Sequence, residues 1–313
     1  MASHPRRQLR RRPPRHRRMR VLVTGREGQL VQSLRERAAH WPDLTIVAAG
    51  RPELDLEKPD TIAAAVTAAS PDLVINAAAY TAVDQAEDDG DRAFRINATA
   101  AGELAAASDA LAIPFVQVST DYVFDGMAGK PYSEDDTVAP LGVYGRTKLA
   151  GEQLVRVSNR RHVIVRTSWV YSPFGKNFVK TMVNAARDRD EMKVVGDQWG
   201  SPTSALDLAD GLLTLASGVA AGRKTGFGET YHLAGSGSAN WHQLAQQIFA
   251  TCAQAGAPSA TATAISTAEW PTRAARPRYS VLDSSRFATD FGFRMPDWRS
   301  SVESVVTRLV TRS

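Results

Sequence analysis

Cysteine is nearly missing from this chain. Its single copy, Cys252, has no second cysteine to pair with, which excludes an intrachain disulfide and every zinc-type cysteine spacing. Nothing in the composition therefore calls for an oxidising compartment, and a cytoplasmic location is expected. Long apolar runs are missing too. No stretch approaches the ~18 residues of a membrane helix, and the N-terminus has no apolar core of a secretory signal. Lysine is scarce, at seven copies against thirty-one arginines. Acid is absent from the first eighteen residues, MASHPRRQLRRRPPRHRR, which hold eight arginines, so the formal charge of +5 less these eight leaves −3 for the remainder. A basic run of this kind predicts a disordered tail over 1–18. No nucleic-acid-binding module follows it, so neither nucleic acid nor membrane is expected as a partner.

What is present from Arg20 onward is alternation. RVLVTG (20–25), LTIVAAG (44–50), DLVINAAA (72–79), PFVQVST (114–120) and HVIVRTSWV (162–170) read as strands. Between them QLVQSLRERAA (29–39), DTIAAAVTAA (60–69), AFRINATAAGELAAASDAL (93–111) and GRTKLAGEQLVRV (145–157) read as helices. Strands separated by helices of this length imply right-handed crossovers and a doubly wound α/β fold, a Rossmann-type parallel sheet covered on both faces. After Trp169 the loops become rich in Gly, Ser and Pro and the elements shorten. The expected organisation is a dinucleotide-binding domain over 19–170, to which a helix in 201–217 returns, and a smaller interleaved C-terminal substrate-binding lobe made of 171–200 and 226–313.

VTGREGQLV sets Gly25 and Gly28 between the first strand and its helix, where a dinucleotide fold needs a tight turn with backbone N–H groups aimed at a pyrophosphate. A bare glycine pair also fits a plain strand-to-helix turn, and the third glycine of such fingerprints is Val31 here. At the end of the second strand, where an acid would bind the ribose of NAD, stands Arg51, suited to a 2′-phosphate, so NADPH is favoured with NADH kept open; the alternative is a solvated surface arginine. Asp55 and Leu56 follow and could face the adenine. Tyr144 and Lys148 in YGRTK lie four apart at a helix start and so share a face. An ammonium beside a phenol draws its pKa from about 10 toward neutrality, as a general acid/base requires; a surface helix pair is the plainer alternative. In a chain that prefers arginine so strongly, a lysine here looks chosen. Thr120 ends the strand expected beside that helix, where its hydroxyl could hold a carbonyl oxygen.

The polar strand end STDYVFDG (119–126) would be costly to bury unless something hydrogen-bonds it. Together with GREGQL, NAAAYTAVDQAE, PLGVYGRTKLAGE, RTSWVY, NFVKTM, DQWGSPT and ARPRYSVLD, in this order from Met19 to the C-terminus, it resembles the extended short-chain dehydrogenase/reductases, and among them the dTDP-4-dehydrorhamnose reductase branch. Carried over, the resemblance implies Tyr144 as proton donor, Lys148 as its partner and Thr120 as tuner of the carbonyl. It also implies Gly28, Gln29, Leu30, Asp55, Leu56, Ala79, Tyr80 and Thr81 at the dinucleotide, and Asp121 and Trp169 at the sugar nucleotide, with Trp169 alternatively an ordinary core tryptophan. In the related 4,6-dehydratases the strand end reads TDE. Tyr122 replaces that glutamate here, so simple ketone reduction is implied rather than loss of water. Some relatives are dimers holding magnesium through a glutamate of the first helix; Ser33 stands at that position, so no metal is assigned, while a homodimer stays open. The rivals are a non-catalytic regulatory subunit, like the beta subunit of methionine adenosyltransferase, and a reductase of another nucleotide-linked 4-keto sugar.

Overall fold

Short runs of Val, Ile and Leu build one six-stranded sheet. The computed structural model describes residues 17–311, so residues 1–16 of the expected tail lie outside the described residues. The strands are β1 (Met19–Thr24), β2 (Leu44–Ala49), β3 (Leu73–Asn76), β4 (Phe115–Thr120), β5 (His162–Thr167) and β6 (Glu229–His232), in the spatial order β6-β5-β4-β3-β1-β2. Every pairing is parallel. All carboxyl ends therefore share one edge, and the order reverses between β1 and β3, the place where such sheets open a crevice.

Alternate residues of β1 serve two cores, which is why its apolar run is unbroken. Val21 and Val23 face a cluster with Leu30 and Leu34 of α1 (Gln29–Arg37) and Leu208, Leu212 and Leu215 of α6 (Ala205–Ala220). Leu22 faces Ile62 and Val66 of α2 (Pro59–Ala69), Leu104 of α3 (Ala100–Ala110) and Val155 of α4 (Val143–Ser158). Helix α6 thus packs on the sheet. Ahead of α3 the helix contains a π turn over Arg95–Thr99. There α4 comes so close that a Cβ on Gly151 would stand 2.1 Å from the Asn97 carbonyl oxygen.

A second core belongs to the lobe, where Val179 and Met182 of α5 (Phe178–Ala185) meet Leu244 and Ile248 of α7 (Trp241–Gln254) and Trp298 and Val302 of α8 (Trp298–Thr311). A ribbon pairs Glu191–Val195 with Thr261–Ile265. Two sequence readings need correction. Residues 229–232 were expected in the lobe, yet they form β6 and extend the sheet beside β5. The run is only four residues long and glycine-flanked, so its pattern could not tell an edge strand from a loop. The fifth strand stops at Thr167 rather than 170, because Trp169 takes φ of +47° and turns the chain out of the sheet.

Candidate active site

At the crevice, polar side chains close the strand ends. The Thr24 hydroxyl donates to Asn76 Oδ1 at 2.6 Å and accepts the N–H groups of Ala77 and Ala78, both at 3.0 Å, while Asn76 Nδ2 donates to Gln117 at 2.9 Å. This chain fixes the loop after β3 opposite the turn after β1. In that turn Gly25 has φ of +102°, a conformation that disfavours any side chain, and its missing Cβ would lie 3.2 Å from Val31 Cγ2. The valine at the third fingerprint position is thus accommodated against Gly25. Gly28 precedes α1 and offers no side-chain cap to its first-turn amides, which leaves them free for an anion.

Two cavities adjoin here. One, of about 600 Å³, is lined by Gly25, Gly28, Arg51, Asp55, Leu56, Ala79, Tyr80 and Thr81. The other, of about 710 Å³, is lined by Gln29, Leu30, Thr120, Asp121, Tyr144, Lys148 and Trp169. Gly25, Gly28, Ala79 and Thr81 border both. Every residue assigned from the sequence therefore lines one of two adjoining cavities, with the glycine turn between them. A buried polar atom without a partner, Thr167 Oγ1, belongs to a residue lining the second cavity. Together with the uncapped amides it fits a bound dinucleotide.

The Tyr144–Lys148 pair departs from the expectation of a phenol near neutrality. Burial pushes the Tyr144 phenol up to about 12, with the Thr120 hydroxyl pulling the other way. Burial also brings Lys148 down to about 8, against the nearby Glu152 carboxylate, which favours its charged form. The ammonium donates to the Val118 carbonyl at 2.7 Å, and so sits under the end of β4. Asp121 is buried and pushed up to about 7 by desolvation, although Ser280 donates to it at 2.6 Å and Thr120 at 3.0 Å. Tyr122 packs edge-on against Tyr144, with ring centroids 5.5 Å apart, and the Arg276 guanidinium lies over the Tyr122 ring while pairing with Asp84 at 2.7 Å.

Trp169 stacks on Trp241 of α7, with centroids 3.6 Å apart and planes 8° from parallel, and its indole occupies the space that a side chain at Gly200 would need. Its exposed remainder lines the second cavity, so it is both a packing residue and a wall of the site. Ser33 turns back onto the Gln29 carbonyl at 2.9 Å.

Two residues that brace the site escaped the sequence reading. Asn97, in the π turn, accepts from the Tyr80 N–H at 2.8 Å and donates to the Tyr80 carbonyl and to Thr147, each at 3.1 Å, tying the cofactor-side loop to α4. An asparagine inside an alanine-rich helix was the available signal, since it is a poor helix former. Glu152, fully buried, takes a bidentate pair from Arg166 at 2.9 and 2.8 Å and a hydrogen bond from Ser119 at 2.6 Å. Its place one turn beyond Lys148 on the same face was legible; its partners were not.

Residues 19–311 match the family described as "RmlD substrate binding domain". The dTDP-4-dehydrorhamnose reductase of Sinorhizobium fredii is 41% identical over 292 residues, 93% of this chain and 98% of that protein. Crystal structures of dTDP-4-dehydrorhamnose reductases superpose closely: that from Clostridium acetobutylicum with a TM-score of 0.86 at 36% identity, covering 93% of this chain and 100% of the other. The Bacillus anthracis one, in complex with NADP, gives 0.85 at 35% identity, covering 93% and 99%. With the glycine turn, the Thr120–Tyr144–Lys148 wall and the paired cavities in place over the same span, the chain belongs to the dTDP-4-dehydrorhamnose reductase family.

Proposed function

We infer that this protein reduces the C4 ketone of dTDP-4-dehydro-6-deoxy-L-mannose to give dTDP-L-rhamnose, the last step of dTDP-rhamnose formation. The observation that carries this reading is the placing of Thr120, Tyr144 and Lys148 on the wall of a cavity that continues into the glycine cradle. Gly25, Gly28, Arg51, Asp55, Leu56 and the 79–81 loop would hold the dinucleotide, with the first-turn amides of α1 available to its pyrophosphate. NADPH bound there supplies hydride to the carbonyl carbon.

The chain's own residues do the rest. A phenol held up near 12 keeps its proton at neutral pH, so Tyr144 has one to give to the carbonyl oxygen as negative charge develops there. Lys148, still mostly charged at pH 7, stabilises the phenolate left behind. Thr120 orients the same oxygen. Asp121, on the same wall, and Trp169 bind the sugar, and Tyr122 supports the ring of Tyr144. The lobe of 171–200 together with the remainder of 226–313 outside β6 receives the nucleotide. A cytoplasmic location and a homodimer accompany this reading on family resemblance alone, and light scattering on the purified protein reads the second.

The test is to supply the 4-keto-rhamnose nucleotide with NADPH and with NADH, follow cofactor oxidation and identify the product. Ketone-dependent oxidation yielding dTDP-L-rhamnose is expected. No oxidation with any nucleotide-linked 4-keto sugar would instead favour a regulatory, non-catalytic subunit.

A further inference from the structure

Gln29 was assigned to the cofactor, but its side chain goes elsewhere. Its backbone opens α1 directly after Gly28, on the phosphate side of the crevice. Its Oε1 accepts hydrogen bonds from Ser172 Oγ and Asn177 Nδ2, both at 2.9 Å, and its Nε2 reaches the Val170 carbonyl at 3.4 Å. These partners lie on the segment leading from the sheet into the lobe. Ser172 is completely buried, and Asn177 caps α5 by accepting from the Lys180 N–H at 3.1 Å. Between them Gly175, at φ of +59°, lets the loop close onto Gln29; its missing Cβ would sit 3.3 Å from Gln29 Cγ. Gly175 and Lys176 then line the same cavity as Tyr144 and Thr120.

We propose that Gln29 is a positioning residue that couples the two ligands, its backbone held by the dinucleotide and its side chain holding the 172–177 loop that walls the sugar-nucleotide site. One residue thereby answers to both ligands. Whichever ligand binds first settles Gln29 and the loop together, so the second binds to a wall already in place. Such coupling is reciprocal: each ligand tightens the other by the same factor. The Glu36–Arg308 pair, with Arg308 lying over Phe174, also ties the loop to α1 from outside.

The inference rests on the two-ligand reading given above, and calorimetric titration separates the two. NADP⁺ and dTDP-L-rhamnose are each titrated into the whole protein alone and with the other ligand saturating. Wild type should show mutual tightening of about fivefold or more, equal in both directions. Gln29→Ala should bring the factor to within twofold of one while each ligand still binds alone. Gln29→Glu keeps the acceptor for Ser172 and Asn177 but loses the donor to the Val170 carbonyl, so it should keep part of the coupling that Gln29→Ala loses, although NADP⁺ alone binds more weakly. Ser172→Ala should lower the factor, and adding it to Gln29→Ala should lower it no further. Full coupling in Gln29→Ala, or none in wild type, overturns the inference with the functional reading intact; wild type that binds neither ligand overturns both.

Discussion

A general acid must hold a proton that it can release; in the proposed role of Tyr144, burial meets the first condition and the Lys148 charge the second. Tyr144→Phe removes the proton with little loss of packing, so turnover should fall by roughly 10² or more while NADP⁺ affinity stays near wild type; most of the activity surviving would remove Tyr144 from its role. Asp121 gives a prediction in the stability domain. Its folded pKa, about 7, lies above the ordinary value of 3.8, so the folded state binds the extra proton between them. That contribution to stability is full below about pH 4 and is lost as pH rises through 7. Asp121→Asn cannot ionise, so its melting temperature relative to wild type should climb between pH 4 and pH 8; a constant difference across that range would mean that the carboxyl is already charged when folded. Arg51 is exposed at the rim of the cavity that Asp55 and Leu56 also line. A charge-assisted contact with a 2′-phosphate contributes about 1.5–3 kcal/mol, so Arg51→Ala should weaken NADPH roughly ten- to a hundredfold and leave NADH nearly unchanged. Equal losses for both cofactors would place the preference elsewhere.

At the level of elements, α4 is where sequence and geometry meet. Tyr144, Lys148 and Glu152 recur every fourth residue, so their common face could be read from spacing alone. The glycines between them could not be interpreted so directly. A Cβ at Gly145 would lie 2.2 Å from the Tyr122 carbonyl oxygen, and one at Gly151 would strike the carbonyl of Asn97. Both obstacles are backbone atoms that cannot step aside. Alanine favours a helix interior by about 1 kcal/mol over glycine, yet Gly151→Ala should lower unfolding free energy in urea by about 1–3 kcal/mol, the range for forced overpacking. An increase would show that α4 can move away from the π turn freely. The same contrast explains how much of the site was legible. Strand ends, the glycine turn and the Tyr-x-x-x-Lys spacing are local in sequence and were found. Asn97 serves Tyr80, 17 residues away, and Thr147, 50 away, and Gln29 serves Ser172, 143 away, so only the fold brings those partners together. The edge strand β6 was missed for a related reason: it takes its identity from pairing with β5, since four residues carry too little pattern.

For the molecule as a whole, the family match opens at residue 19, where β1 begins. Arg17 pairs with Asp72, but Arg17 is exposed and Asp72 only half-buried, and a pair this open contributes about 0–1 kcal/mol. Deleting residues 1–18 should therefore leave melting temperature and turnover unchanged; a drop of several degrees would mean that the tail packs on the body. Sheet and lobe also meet face to face in the stack of Trp169, just past β5, on Trp241, which opens α7. Two nearly parallel indoles at 3.6 Å couple their electronic transitions. The seam between the two parts of the protein thus carries its own optical label: a stacked indole pair whose near-ultraviolet signal should change, without any added dye, if the lobe leaves the sheet.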